Sequence, residues 1–152
     1  RSFRVQIDET RAAARALGMA LDVVEVQGAD YDAAFTRLAA LKPDALVVGA
    51  NTFFMTDRKA IIALAARHRL PAVYEWPEQV RDGGLLAYGT DLDQLYARIG
   101  AYAVALLQGR KPVDLPVERP ATYRLALNLR TAKMLGLVVP QALLLRADEV
   151  IQ

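Results

Sequence analysis

Three short stretches of this sequence bring together amide, hydroxyl, carboxylate and aromatic side chains within a few positions of one another. The candidate ligand-binding residues in them are Asn51, Thr52, Phe53, Phe54, Tyr74, Glu75, Trp76 and Tyr88. Together they offer hydrogen bonds, one charge and several aromatic faces. Such a mixture suits a small organic molecule that has both polar and planar parts. We therefore predict noncovalent recognition at these positions.

Each of these residues also has a purely structural explanation. Asn51 is of a type that commonly satisfies a turn, and the two phenylalanines after it are of a type that more often fills a core. Tyr74 could simply end a strand, and the two residues after it could lie on the surface or in a hinge. Tyr88 could be a hinge residue instead of a ligand contact. Both explanations stay open at the level of the sequence.

The residues needed for covalent or metal chemistry are almost absent. The sequence has no cysteine, Ser2 near the end is its single serine, and His68 is its single histidine. A Ser–His pair could form only between those two residues, and a Cys–His pair cannot form. A zinc site of cysteine and histidine ligands is excluded by the count. We predict that the protein is not an enzyme and has no catalytic residue, no metal site and no cofactor.

The composition is that of a single globular domain. Of 152 residues, 54% are hydrophobic and 24% are charged, which is enough apolar material for a core. The charge balance, 19 basic against 17 acidic residues, gives +2 with mixed signs, so we expect no nucleic-acid partner. The longest uncharged runs, 45–56 and 134–145, are shorter than the roughly 20 residues that a transmembrane helix needs.

Helical and extended patterns alternate in the first half of the chain. We expect helices at 3–17, 31–41 and 57–68. We expect strands at 21–26, 45–49 and 71–74, with 85–88 as an optional fourth strand. The apolar run 45–49 is typical of a strand covered on both faces. This order predicts an α/β fold: three layers, with a mostly parallel sheet and helices on both faces.

The predicted sheet explains why the three candidate stretches belong together. Each stretch follows a predicted strand, and ligands of open parallel sheets bind beyond the carboxyl ends of the strands. We therefore expect the loops at 51–54, 75–76 and 89–91, with the strand-end residues Tyr74 and Tyr88 before them, to share one edge of the sheet. A helix starting at Thr56 or Asp57 would direct its free N–H groups to the same edge, where a ligand carboxylate could bind.

After Tyr88 the pattern changes to one long amphipathic helix. Asp91 is placed to cap this helix and Gly109 to end it, so its expected range is 91–108. Its apolar face consists of Leu92, Leu95, Tyr96, Ile99, Tyr102 and Leu106. A connector with two prolines, 111–116, separates it from a predicted strand at 123–128 and a short helix at 129–135.

Two groups of short motifs occur here in the order and spacing of one known family. The first group is Ala65-Ala66-Arg67-His68-Arg69-Leu70-Pro71-Ala72-Val73-Tyr74, then Gly83-Gly84-Leu85 and Tyr88-Gly89. The second is Leu127-Asn128-Leu129, Thr131-Ala132-Lys133, Leu135-Gly136-Leu137, Pro140 and Arg146-Ala147-Asp148-Glu149-Val150-Ile151. Over about residues 30–152 the chain resembles the ABC-transporter substrate-binding proteins of the tryptophan/tyrosine-binding type.

The resemblance implies a lobe of the type I periplasmic-binding-protein fold, the C-terminal one of two lobes that hold a solute between them. Residues 1–88 would be this lobe without its first strand, which would precede residue 3. Residues 89–116 would be a crossover helix and connector that pack on the first lobe, which is absent here, and 117–152 would return to the C-terminal lobe.

The resemblance also implies a function. The chain would belong to the solute-binding component of an ABC importer for a small amino-acid-like solute, aromatic ones included. Its partner would be a membrane permease, and its location would be periplasmic or extracellular with a lipid anchor. Without the first lobe, the apolar face of 91–108 would be left in water, so we expect this chain to form a homo-oligomer through that helix.

Other functions remain open from the sequence. The effector-binding lobe of a lac-repressor-type transcription regulator has a similar two-lobe architecture. A helix-turn-helix segment upstream would favour the regulator, and a signal peptide upstream would favour the importer component. An enzyme of the flavodoxin or response-regulator type is a weaker match, because the strand that ends at Gly49 carries no Asp at its tip.

Overall fold

The structure is a computed structural model that describes residues 3–118 and 122–152. Ser2 lies outside the described residues. The chain divides into two compact units, Arg1–Asp44 and Ala45–Gln152. The first unit contributes two helices, and the second contains the sheet.

Two helices, α1 (Phe3–Ala16) and α2 (Tyr31–Leu41), form the first unit. Gly18 follows α1 with a positive φ of 67°, as expected for a residue that ends a helix. Asp30 caps α2, because its side chain accepts a hydrogen bond of 3.0 Å from the backbone N–H of Ala33. The face of α2 that includes Phe35 is buried.

The segment 21–26, predicted as a strand, is not a strand. Its residues belong to none of the strands of the described sheet. Within the described part of the chain, its backbone N–H groups donate to no other backbone group, and the carbonyl of Glu25 accepts only from the Arg37 side chain, at 2.6 Å. A β-rich composition does not make a strand without a neighbour, because the ladder hydrogen bonds come from the partner. The prediction for 21–26 is therefore wrong.

The second unit alternates strands and helices. Its strands are β1 (Leu46–Val47), β2 (Ala72–Tyr74), β3 (Leu86–Thr90), β4 (Tyr123–Asn128) and β5 (Glu149–Ile151). Its helices are α3 (Thr52–Thr56), α4 (Arg58–Arg67), α5 (Pro77–Arg81), α6 (Leu92–Leu107), α7 (Leu129–Leu135) and α8 (Gln141–Leu144), with a 3₁₀ turn at Pro112–Asp114.

The five strands form one mostly parallel sheet in the order β1-β2-β3-β4-β5. Only β3 and β4 run antiparallel, and the other three neighbouring pairs are parallel. The predicted α/β fold with a mostly parallel sheet is confirmed. The details at 45–49 are wrong, however: the strand covers only Leu46–Val47, lies at the edge of the sheet, and leaves Val47 61% exposed.

Helix α5 packs on one face of the sheet and completes the core of this unit. Val80 of α5 is fully buried, as are Ala87 of β3 and Ala126 of β4. The side-chain amide of Asn128 donates to the carbonyl of Val80 at 3.2 Å, and its Oδ1 caps α7 by accepting from Thr131 at 3.1 Å. One buried asparagine therefore ties α5 to the end of β4 and the start of α7.

Helix α6, with 16 residues the longest helix of the unit, has no buried residue. It is anchored at its first turn, where the buried Asp91 accepts from the N–H of Gln94 at 3.2 Å and pairs with Arg124 at 2.7 Å. Further along, Tyr102 donates to the carbonyl of Pro116 at 2.9 Å, so the returning chain runs beside the helix.

Candidate functional site

The carboxyl ends of β1, β2 and β3 lie at one edge of the sheet, because these three strands are parallel neighbours. Strand β4 runs the other way and therefore begins at this edge, with Tyr123 opposite Thr90. The topology thus places the segments after Val47, after Tyr74 and around Tyr88 at a common edge, and adds the start of β4, which sequence reasoning did not include.

At the end of β1 the predicted loop 51–54 is instead the start of a short helix. Asn51 caps α3, because its Oδ1 accepts from the N–H of Phe53 at 2.8 Å. Thr52 and Phe53 are exposed, Phe53 by 74%, while Phe54 is partly covered. The cap uses only the oxygen of Asn51, so its amide N–H groups have no partner among the described residues. The structure is therefore compatible with both explanations of Asn51, as a turn residue and as a ligand contact.

Tyr74, at the end of β2, points into the interior. It is 3% exposed, and its ring packs so closely on Gly84 that a Cβ there would lie 2.7 Å from a ring carbon. It helps to line a small apolar cavity of about 90 Å³ together with Ile62 of α4 and Thr131 of α7. Burial raises the pKa of its hydroxyl far above the usual value. The side chain of Tyr74 therefore packs in the interior beneath this edge of the sheet.

Glu75 follows directly and is half-buried without a hydrogen bond or ion pair to any described residue. Burial raises the pKa of its carboxyl group above the usual value, since a desolvated charge is disfavoured. Its backbone lies directly against Gly89 of β3. A Cβ at residue 89 would lie 1.9 Å from the Glu75 carbonyl oxygen, so only glycine fits there. Trp76, half-buried, is the N-cap residue of α5, and its backbone N–H donates to the side-chain Oε1 of Gln79 at 3.0 Å.

Tyr88 of β3 and Tyr123 of β4 form a stacked pair on the sheet. Their ring centroids are 5.8 Å apart, the ring planes differ by 22°, and the residues are 58% and 52% exposed. Tyr123 was missed by sequence reasoning. The alternation within 123–128 contains it, but only the antiparallel pairing with β3 shows that it lies beside Tyr88.

The groups at this edge of the sheet are suited to noncovalent contacts with a small molecule. Among the described residues, no group of three His, Asp or Glu side chains is placed to hold a metal ion. His68 lies exposed at the end of α4, as its C-cap residue. The edge of the sheet instead combines an unpaired carboxylate, an amide and exposed aromatic rings.

The chain belongs to the family of ABC transporter substrate binding proteins, whose family model matches residues 2–151. This is a non-enzymatic class of proteins that typically works in the periplasm or outside the cell. None of the curated proteins matches the chain. None of the described helices is both long and apolar enough to cross a membrane.

Solved structures share the fold. An ABC domain from Streptococcus pneumoniae in complex with L-Trp is 25% identical with a TM-score of 0.87, over 97% of this chain and 51% of that one. A conserved domain protein from Vibrio cholerae is 23% identical with a TM-score of 0.84, over 95% and 49%. A ligand-free, open substrate binding protein with adhesive properties from Clostridium difficile is 21% identical with a TM-score of 0.65, over 98% and 50%. The chain spans about half the length of these proteins.

Proposed function

We propose that this chain is part of the solute-binding component of an ABC importer and contributes one wall of a cleft for an amino-acid-like solute. The observation that carries the proposal is the family match over residues 2–151. The fold neighbour solved with L-Trp supports an amino acid as the solute class. The same family match favours this function over the effector-binding lobe of a transcription regulator.

The roles of the edge residues follow from their chemistry. Glu75 binds the ammonium group of the solute, because a half-buried carboxylate without a partner gains most from a cation. The amide of Asn51 and the hydroxyl of Thr52 bind polar groups such as the solute carboxylate. Phe53 and Trp76 provide apolar contact surface, and Phe54 supports them.

The remaining assignments describe the whole protein. Residues 1–88 form the C-terminal lobe, 89–116 pack on a first lobe, and 117–152 return to the C-terminal lobe, with the solute enclosed between the lobes. The partner is the membrane permease of the transporter. The protein works in the periplasm, or outside the cell with a lipid anchor.

Trp76 provides a direct test, because it is the only tryptophan of the chain and lies at the proposed site. Its fluorescence is followed during titration with L-phenylalanine, and calorimetry is used for L-tryptophan. We expect a saturable change, and Glu75→Gln should weaken binding about tenfold through loss of the charge.

Glu25→Gln is the matched control, since Glu25 is an exposed carboxylate of the other compact unit. It should bind within about twofold of the unsubstituted chain. If Glu75→Gln and Glu25→Gln bind equally well, the role of Glu75 is wrong. If the intact two-lobe protein binds no amino acid of a standard panel in calorimetry, the solute class is wrong.

A further inference from the structure

We propose that Gln79 is a positioning residue of the candidate site: its buried side chain fixes the peptide unit between Glu75 and Trp76 and thereby directs these two side chains. This inference rests on the proposed solute-binding function, and it adds a residue that does not itself contact the solute. Gln79 is the third residue of α5 and is 1% exposed. A polar side chain that is buried so completely needs a partner, and its partner shows what it does.

Gln79 and Trp76 are joined by two hydrogen bonds that run in opposite directions. The backbone N–H of Trp76 donates to Oε1 of the Gln79 side chain at 3.0 Å. The backbone N–H of Gln79 donates to the carbonyl of Trp76, also at 3.0 Å. A glutamine at the third position of a helix commonly reaches back to the N-cap residue in this way. Together the two bonds fix the direction in which the chain enters α5.

The peptide unit that carries the Trp76 N–H is held on its other side as well. Its carbonyl belongs to Glu75 and packs so closely on Gly89 of β3 that a Cβ at residue 89 would lie 1.9 Å from the oxygen. Because a peptide unit is planar, contacts at its N–H and at its carbonyl oxygen together set the orientation of the plane. That orientation decides where the Glu75 carboxylate and the Trp76 ring point, since these two side chains flank the plane.

Gln79 can hold this peptide unit because its own backbone is fixed. Its carbonyl accepts from the N–H of Gly84 at 2.8 Å, and a Cβ at residue 84 would lie 2.7 Å from the same oxygen. Gly84 in turn packs on the ring of the buried Tyr74. Helix α5 has only five residues and gains little from its own helical hydrogen bonds, so these contacts hold it in place.

A neutral acceptor suits this position better than a charged one. Glu75 is half-buried, and Glu78 already has one carboxylate oxygen buried without a hydrogen-bond partner among the described residues. A further buried carboxylate in the same turn would be desolvated and would repel both. Glutamate at residue 79 would keep an acceptor oxygen but add this charge, whereas methionine would keep the length of the side chain without any acceptor. The two substitutions therefore separate the hydrogen bond from the packing.

The test compares Gln79→Met with Thr131→Val as the matched control. Thr131 donates to the carbonyl of Gly83 at 2.9 Å, so its loss removes one hydrogen bond beyond the other end of α5. The emission of Trp76, the only tryptophan, is recorded on the unliganded 152-residue chain, and the affinity for L-tryptophan is measured by calorimetry on the intact two-lobe protein.

Gln79→Met should shift the emission to longer wavelength, because the half-buried indole becomes more exposed to water, and should weaken binding about tenfold. Thr131→Val should keep the emission and bind within about twofold of the unsubstituted protein, although both variants lose stability. Gln79→Glu, which retains an acceptor, should restore the emission.

A measurement without any substitution completes the test. In the unsubstituted chain, the backbone N–H of Trp76 should exchange with solvent at least about tenfold more slowly than in a peptide of the same sequence. Fast exchange would contradict the positioning role, as would a folded Gln79→Met that keeps its emission and affinity, or a Thr131→Val that binds as weakly as Gln79→Met. In each of these cases the proposed function stands. If the intact protein binds no amino acid, the proposed function fails, and the role of Gln79 at a solute site fails with it.

Discussion

Helices α4 and α6 have similar amphipathic sequences but different surroundings. The ten residues of α4 include four that are buried, among them Ile61 at 3% exposure. The 16 residues of α6 include none that is buried, and its Ile99 is 53% exposed. An apolar stripe therefore shows that a face can be covered, but it does not show what covers it.

The difference comes from the strands that each helix connects. Helix α4 lies between β1 and β2, which are parallel neighbours, and a parallel connection must cross over the sheet. The crossover holds α4 against the strands. Helix α6 lies between β3 and β4, which are antiparallel, so the chain leaves and returns at the same edge. Nothing in that connection requires α6 to pack on the sheet.

The largest effect that separates the two helices comes from a matched pair of isoleucine substitutions. Ile61→Ala should lower the free energy of unfolding by about 2–5 kcal/mol, because it removes buried side-chain volume. At concentrations where the chain is monomeric, Ile99→Ala should change it by no more than about 0.5 kcal/mol. Urea unfolding followed by circular dichroism measures both. Equal losses would mean that Ile99 of α6 is buried to the same extent as Ile61 of α4.

The anchor of α6 should give the next largest effect. Asp91→Ala removes both the helix cap and the partner of Arg124, and should lower the free energy of unfolding by about 1–2 kcal/mol. Asp91→Asn keeps the cap without the charge and should recover part of the loss. Urea unfolding of both variants decides the order, and an alanine variant as stable as the asparagine variant would contradict the capping role.

The exposed face of α6 should cause self-association of this chain, the homo-oligomer expected from the sequence. Light scattering should give a mass that increases with concentration above the 16.7 kDa of one chain. Replacing Tyr96 and Ile99 by serine should weaken association about tenfold or more, since both side chains are more than half exposed. A concentration-independent mass of one chain would show that α6 needs no partner.

The smallest effects concern two glutamates with opposite pKa shifts. The hydrogen bond from Arg81 lowers the pKa of Glu149, so Glu149 stabilises the fold above its unfolded-state pKa and loses this contribution as the pH falls through the lowered value. Glu149→Gln should cost about 0.2–1 kcal/mol at about pH 7, because the pair is partly exposed. The difference should shrink as the pH falls through the lowered pKa of Glu149 and vanish below it.

Glu75 should behave in the opposite way. Burial raises its pKa, so its contribution is most favourable below the unfolded-state pKa and is lost as the pH rises through the raised value. Glu75→Gln should therefore be slightly more stable than the unsubstituted chain at about pH 7 and equal to it at about pH 3. A destabilised Glu75→Gln at neutral pH would mean that the carboxylate has a stabilising partner in the fold.

The sequence predicted most of the helices and the strand ends that meet at one edge of the sheet, and the prediction failed where strand pairing decides the structure. It identified Asn51, Glu75 and Trp76 at strand ends because strand ends are visible as changes of pattern. It could not show that Tyr74 turns inward onto Gly84, because that contact depends on the position of α5. It also missed Tyr123, whose neighbour Tyr88 lies on another strand.

The sequence by itself determined the local features of this protein. Asp30, Asp91 and Asn128 cap the helices that follow them directly in the chain, and Gly136 ends α7 with a positive φ of 73°. Each of these features depends on hydrogen bonds between residues a few positions apart, so a short stretch of sequence contains everything that is needed.

Only the tertiary structure decided the pairing of distant segments. The segment 21–26 has the composition of a strand but pairs with no strand among the described residues, and Leu46–Val47 is an edge strand of the sheet. Strand β4 runs antiparallel to β3, which places Tyr123 beside Tyr88. The hydrogen bonds of a sheet join residues that are far apart in the chain, and the residues of one strand do not specify which neighbour it meets. The exposure of α6 follows from the same pairing.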